Sequence, residues 1–518
     1  MNKIFTLLGL ILLPVIAFAQ YQNVRIDNYS SANEPSIWIN PKNPLEIMAG
    51  SNLNFWYYSE DGGYTWDTDI LVSPQYGVWG DPVIMTDTAG DFYFYHLSNP
   101  PIGNWIDRIV CQKFDKVSKQ WSSGTYMGLN GTKAQDKQWA VVDPATNTIY
   151  VTWTQFDEYG VSDPACQSNI RFSKSVDGGQ SWTPATTISQ VAGNCVDSGE
   201  TTEGAVPAVG PNGEVYVSWS GPGGIVFDRS LDGGQTWLDE DIAVDPHIGG
   251  WDFDIPGISR SNGMPVTKCD LSNSVHRGTI YINFADQRNG ADDTDIWLTK
   301  STDQGETWSE AVRVNDDGPG KQQFFTWMDI DQTNGYLYFV FYDRRAYDDN
   351  QTDVYMAVSA DGGETFTNIK ISESPFIPWN NIFFGDYNNI SAHNNTVRPI
   401  WTRMEGGARS IYTAIVDMTV GLTEAPKIPF SLAQNHPNPF KQSTLISFKL
   451  RDAGKVYFKV YDQTGRVVAN PVQAEYHERG KHEYHFDAEQ WQLVPGVYYY
   501  EISSNNQAMH RKMIIANN

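Results

Sequence analysis

A turn followed by an apolar strand recurs along most of the chain. PNGEVYVSW starts at Pro211, TNTIYVTW at Thr146, TNGYLYFVF at Thr333, TAGDFYFYH at Thr88 and HNNTVRPIW at His393. RGTIYINF from Arg277 and NPLEIMAG from Asn43 make seven copies. Asn-Gly and its relatives between apolar runs signal hairpins, because these residues accept the backbone that a tight turn needs. Each copy is preceded by another short strand, and most are followed by a third. Four-stranded units at roughly 45 to 65 residues suit a β-propeller, whose rings hold about 4 to 8 blades. The expected fold is all-β, with a ring of seven blades, or six and one irregular segment. A strand near Asn23–Asp27 is expected to complete the last blade by pairing near residues 410–420, so that no sheet edge stays open.

An octet marks the end of the third strand in five units. It reads SEDGGYTW at Ser59, SVDGGQSW at Ser175, SLDGGQTW at Ser230, STDQGETW at Ser301 and SADGGETF at Ser359. The interval from Ser59 to Ser175 is about twice that from Ser175 to Ser230, so a degenerate copy is expected between them, at Asp115–Trp121. The Asp carboxylate can accept backbone N–H groups within its own turn, and the second Gly allows positive φ. The octets resemble the Asp-box (BNR) repeats of sialidases and other Asp-box propellers, of which the sialidases usually have six blades. Propeller geometry puts these turns on the face away from most active sites, so they are read as structural.

The period changes after about residue 420. Residues 421–432 form a linker, and 433–518 contain alternating strands with Gly-bearing turns, as in a small β-sandwich. Pro437–Phe440, Asp462–Arg466 and Gly496–Tyr499 resemble the C-terminal (type A) sorting domain of the type IX secretion system. That resemblance implies recognition by the secretion machinery, passage across the outer membrane of a Bacteroidetes-type cell, and a secreted or cell-surface location.

Residues 1–19 read as a signal peptide, with Lys3, an apolar run from Phe5 to Phe18 and the cleavage site Ala17-Phe18-Ala19; the propeller is placed at 20–420. No later apolar run reaches the roughly 18 to 20 residues of a membrane-spanning helix. The formal net charge of −25 disfavours nucleic acid as a partner. Four widely spaced cysteines argue against zinc and admit one or two disulfides, with Cys166–Cys195 the preferred pair, or free buried thiols.

Function is sought at the opposite ends of the strands. Glu34, Asp81, Asp136, Glu203 and Asp386 each stand ahead of a hairpin turn, where inner strands start, and Asp252 and Asp254 are candidates for the fifth blade. Carboxylates converging there would raise one another's pKa, which keeps an acid protonated for general-acid work. Arg288, Arg344, Arg345 and Arg403 follow second strands and could hold a substrate carboxylate bidentately. Tyr342 and Tyr387 are candidate nucleophiles. Trp79, Trp139, Trp251 and Trp327 could stack on sugars. Two acidic loops, with Asp292, Asp293 and Asp295 in one and Asp348, Asp349 and Asp353 in the other, could bind a structural calcium; no cofactor is otherwise required.

The sialidase resemblance implies three arginines on a sugar carboxylate, a Tyr nucleophile assisted by Glu, and an Asp acid/base, a departure from the usual two-carboxylate scheme. The first-blade arginine tripeptide of that family is absent here, where Asn33-Glu34-Pro35-Ser36 stands instead. Two readings therefore stay open. One is a sialidase-like glycoside hydrolase acting on extracellular glycans; the other is a non-catalytic propeller that binds glycan or protein.

Overall fold

The computed structural model describes residues 21–27, 29–418, 430–450, 453–463, 465–504 and 507–516. The expected signal peptide and most of the expected linker lie outside them. The chain divides into two compact units, Met1–Met418 and Thr419–Asn518.

In the first unit, seven antiparallel sheets of four or five strands follow one another among the described residues. Their inner strands are Ser36–Ile39, Gly80–Thr86, Ala134–Val142, Glu203–Val209, Val266–Cys269, Gln323–Asp331 and Asn389–His393. Contacts between successive inner strands, and between the seventh and the first, close a ring of seven blades. The last blade contains the N-terminal strand: Asn23, Val24 and Arg25 pair with Ala414, Thr413 and Tyr412. Ile26 and Asp27 extend the seal, because Ile26 is buried beside Ile411 and the Asp27 carboxylate accepts the Ile411 N–H at 2.9 Å.

The octets form one repeated turn. In the fourth blade Ser230 Oγ donates to Asp232 Oδ1 at 2.7 Å and accepts Gly234 N–H at 2.7 Å, while Asp232 Oδ1 accepts the N–H of Gln235 and Thr236 at 2.9 Å each. These local bonds satisfy the polar backbone of a surface turn without help from a strand. Gly234 sits at φ 79°, and a Cβ there would lie 2.3 Å from the Phe172 ring of the preceding blade. Trp237 packs edge-on against that ring at 4.9 Å, and Trp308 repeats the contact with Phe227 at 5.0 Å. In four of the five octets the carbonyl of the fourth residue is also capped by a cation from the preceding blade. Arg398 bonds Gly62 O at 2.7 Å, Lys174 Gly233 O at 2.6 Å, Arg229 Gln304 O at 2.6 Å and Lys300 Gly362 O at 2.8 Å. The octets thus close their own turns and join neighbouring blades. At Asp115–Trp121, Asp115 accepts the N–H of Val117 and Ser118, and Phe114 pairs with Trp121.

Cys166 and Cys195 are joined by a disulfide, and Cys111 and Cys269 are free and buried. No helix of the described residues is long and apolar enough to cross a membrane. The second unit is a sandwich of a three-stranded and a four-stranded sheet around Phe440, Ile446, Phe458, Phe486 and Tyr500.

Ring closure by a three-residue strand gives a direct test. Deleting residues 21–27 exposes the edge of Ala408–Ala414, an open template for pairing with other chains. The deletion is expected to lower the thermal midpoint and produce oligomers in size-exclusion chromatography. Ile26→Ala alone should cost about 2–4 kcal/mol in denaturant titrations. An unchanged midpoint with monomeric elution would show that closure is dispensable.

Candidate functional site

Each inner strand enters the ring from the face opposite the octets. Glu34, Asp81, Lys137, Gly204 and Phe325 hold the same spacing ahead of the turn residues Asn40, Asp87, Asp143, Gly210 and Asp331, and all five have φ between 48° and 77°. Residues other than glycine seldom adopt this left-handed region, and such strain gathers where function over-determines the backbone. At four of these positions the pairing register slips, between Gly80 and Val83, Asp136 and Trp139, Glu203 and Val206, and Phe324 and Trp327. This bulge presents two successive side chains at the mouth instead of one. The expected single ring of acids is therefore corrected. Asp136 and Glu203 occupy the position before the strained residue, whereas Glu34 and Asp81 occupy the strained position itself.

The channel is closed beneath the acids. Trp139 of the third blade and Trp327 of the sixth reach across it, with ring centroids 4.2 Å apart, and Tyr387 meets Trp139 at 5.3 Å. Trp139 and Trp327 are buried, so they form an apolar plug and not an exposed platform. Trp251 is buried too, and donates its indole N–H to Asp197 at 2.7 Å.

Above the plug lies a cavity of about 490 Å³, lined by Glu34, Asp81, Asp136, Lys137, Tyr159 and Arg260 on the floor and walls, with Trp79, Trp105, Phe383 and Arg409 around it. Trp79 and Trp105 are 40% and 42% exposed and meet edge to face at 5.6 Å. Such half-exposed indoles suit the apolar face of a sugar ring.

Lys137 connects the acids. Its ammonium bonds Asp386 at 2.7 Å and Asp81 at 3.4 Å, and its backbone N–H donates to Asp136 Oδ1 at 2.9 Å. Arg260 reaches the same Asp386 carboxylate through Nε at 2.9 Å, and Asp197 through Nη1 at 2.7 Å. Glu34 accepts the Asp386 N–H at 3.0 Å and is bonded by Asn52, whose side-chain oxygen accepts Asp81 N–H at 2.8 Å. Asn262 donates to Asp386 O at 3.0 Å. Four of the acids expected from the sequence, Glu34, Asp81, Asp136 and Asp386, are thus joined around two cations, and Glu203 faces Asp136.

Charge follows from this placement. Burial opposes ionisation of Asp386, yet Lys137 and Arg260 hold its carboxyl down at about 2. Burial pushes Asp136 up to about 7, against Lys137 and with the help of the Asp81 and Asp197 charges. Glu34 and Glu203 are raised well above the usual range by burial, then by facing carboxylates. Neither Glu203 oxygen has a hydrogen-bond partner among the described residues. Although burial works against its charge, Lys137 is held well above its ordinary value by Asp386, Asp81 and Asp136. Proton-holding and ionised carboxyls therefore stand side by side.

Other expected residues lie elsewhere. Tyr342 is buried among Phe324, Phe376 and Phe384; its hydroxyl donates to Thr402 O and accepts Thr402 N–H, both at 3.0 Å, which engages the oxygen a nucleophile needs. Tyr387 is buried in the plug. The four arginines are held by partners in their own and adjoining loops. Arg288 pairs with Asp286 and Asp245, Arg345 with Asp343 and Asp316, and Arg403 with Glu405 and Ser374, while Arg344 is buried against Pro256 O and Thr352. None of the four lines the cavity; Arg260 and Arg409 do.

The acidic loops also place their carboxylates apart. Asp293 accepts Gly320 N–H, Asp295 bonds Asn289, Asn315 and Arg313, Asp348 pairs with Lys321, Asp349 bonds Gln351, and Asp353 bonds Ser372, Tyr347 and Lys370. The Asp292 carbonyl accepts from Gln322. Among the described residues no group of three or more His, Cys, Asp or Glu side chains is arranged to hold a metal ion.

Sequence reasoning missed Lys137, Tyr159, Asp197, Arg260, Trp105 and Arg409. Lys137 was accessible in principle from its spacing to the turn at Asp143, which Glu34 and Asp81 share. Asp197 and Arg260 come from long loops between blades, where no repeat aligns them.

Comparison with known proteins covers the two units unequally. Residues 435–516 match the family of secretion system C-terminal sorting domains, which directs the protein through type IX secretion to the cell surface or extracellular space. No curated protein matches the chain. A solved Hadza microbial sialidase, Hz136, is 14% identical over 73% of this chain and 75% of its own, with a TM-score of 0.42. A PL25 ulvan lyase is 12% identical over 76% and 96%, with a TM-score of 0.47. A protein of unknown function from Dyadobacter fermentans is 14% identical over 76% and 97%, with a TM-score of 0.44. Likeness at this level is silent on chemistry.

Two outcomes follow from the charge arrangement. Asp136 has a folded pKa above its unfolded one, so its ionisation weakens the fold as pH rises between about 4 and about 7. The midpoint of Asp136→Asn should therefore gain on that of the parent across pH 5 to 8 in paired thermal melts, and a constant difference would refute the assignment. Lys137→Met removes the cation from buried partners and should cost about 3–5 kcal/mol at pH 8, with a smaller loss at pH 5, where more of the surrounding carboxyls hold protons.

Proposed function

We propose that this exported propeller is a glycoside hydrolase acting on extracellular glycans that lack a carboxylate. The observation that carries the reading is the pairing, on one cavity floor, of a carboxyl that keeps its proton near neutral pH, Asp136, with carboxylates held beside the Lys137 ammonium. Glycosidic cleavage needs a proton donor for the leaving oxygen and a second carboxylate that remains charged, and environment separates two chemically alike residues into these roles. Asp136 is the general acid in this reading. Asp81, which also lines the cavity, is the candidate second carboxylate. The half-exposed Trp79 and Trp105 would hold sugar faces at the rim.

A sialidase would bring a sugar carboxylate into the cavity. Here the arginines that the family resemblance implied for it stand in other loops, and Arg260 already serves Asp386 and Asp197. An acidic floor adds repulsion. The substrate is therefore placed among neutral or cationic glycans.

One observation favours the alternative of a non-catalytic glycan-binding propeller: both Glu34 oxygens and the Asp386 carboxylate are engaged by neighbours, which leaves few groups free to react. Incubation of the full chain with fluorogenic neutral glycosides and a sialoside separates the readings. Turnover of a neutral glycoside is expected, falling as pH rises past about 7, and Asp136→Asn should reduce it by about 10²–10⁴-fold. Sialoside turnover would overturn the substrate class. Saturable tryptophan quenching by oligosaccharides without any turnover would select the binding reading.

A further inference from the structure

Asp197 stands behind the cavity wall, one blade away from the residues it holds. It lies between the third and fourth blades, in the loop that carries Cys195, with φ at 53°. Its Oδ2 accepts the Tyr159 hydroxyl at 2.9 Å and Arg260 Nη1 at 2.7 Å, and its Oδ1 accepts the Trp251 indole N–H at 2.7 Å. One carboxylate therefore joins three loops. Tyr159 lies in the loop joining the second and third strands of the third blade, Trp251 and Arg260 precede the fifth, and Asp197 enters the fourth. Tyr159 and Arg260 line the cavity, whereas Asp197 does not.

The disulfide belongs to the same structure. Cys166 shares a loop with Tyr159, and Cys195 is two positions before Asp197, so the bond ties the donor's loop to the acceptor's. Gly160 N–H donates to Cys195 O at 2.7 Å alongside it. Both loops leave the ring at the mouth and have little strand pairing of their own, namely the isolated contacts Val161 with Cys195 and Ser168 with Gly193. A charged residue held in a strained backbone needs such over-determination to persist.

We propose that Asp197 is a positioning residue of the cavity, set by the Cys166–Cys195 disulfide, and that through Tyr159 and Arg260 it fixes the wall against which a ligand is oriented. The inference rests on the cavity being the site of glycan chemistry, as argued above. Asp197 acts on the floor in two ways. It orients Arg260, whose other face grips Asp386, and its own charge faces Asp136 and Glu203. Loss of that charge makes a neighbouring carboxyl easier to ionise.

The test uses the full-length chain with Asp197→Asn and, separately, Cys166→Ser/Cys195→Ser. Hydrogen exchange followed by mass spectrometry reads the wall directly. Both variants should speed exchange in peptides covering 157–167 and 251–262, while octet peptides such as 230–237 keep the parent rate. With a fluorogenic neutral glycoside, Asp197→Asn should shift the alkaline limb of the pH profile to lower pH, a displacement that lost stability alone would not produce. Parent exchange rates at 251–262 in either variant would overturn the proposal. An unmoved alkaline limb in an active Asp197→Asn would overturn it as well. If the parent turns over no glycoside, the hydrolase reading fails, and the exchange comparison still decides the role of Asp197.

Discussion

Lys137 places a buried ammonium group above an apolar plug, among the carboxyl groups of Asp81, Asp136 and Asp386. Its bonds to Asp81 and Asp386 link the second, third and seventh blades, and its backbone fixes Asp136. A buried charge is tolerable only when partners compensate for lost hydration, and removal of one partner strands the others. The acids, their protonation states and the cavity floor all depend on this one cation. Arg260 extends the same logic outward, linking Asp386 to Asp197 and so to the outer wall.

The plug explains why the carboxyls differ among themselves. Trp139, Trp327 and Tyr387 fill the centre of the ring and leave the acids above them in a poorly polarisable setting. Burial alone would protonate every acid there. Asp386, which touches both Lys137 and Arg260, is instead held down at about 2. Glu203, with neither oxygen bonded, shows the opposite extreme. Carboxyl groups of one chemistry thus differ in acidity through burial and through contact with two cations.

Much of the ring was legible in the sequence because its signals are local. The octets carry their own hydrogen bonds, so Ser230, Asp232 and Gly234 define their turn wherever they occur. The pairing of Asn23–Arg25 with the last blade and the convergence of Glu34, Asp81, Asp136, Glu203 and Asp386 followed from strand direction. The bulge was not legible. Two-residue alternation cannot show an inserted residue, and so Lys137 at its strained position was passed over in favour of its neighbour Asp136. The arginines failed for another reason. Arg288 and Arg345 follow second strands as expected, but each is drawn back to an Asp two residues earlier, and sequence position does not reveal which partner a guanidinium will choose.

The pairing of Asn23–Arg25 with Tyr412–Ala414 joins segments at the two ends of the ring, although each blade is otherwise built from neighbours in sequence. Closing so long a loop costs more chain entropy than pairing neighbours in sequence. Blades can therefore form one after another as the chain becomes available, while the ring stays an open arc with free edges until residues near 414 arrive. The cavity likewise needs the second, third and seventh blades together around Lys137. A chain that stops before the seventh blade carries the octets but lacks the Asp386 carboxylate that Lys137 and Arg260 share, and its cavity floor is incomplete.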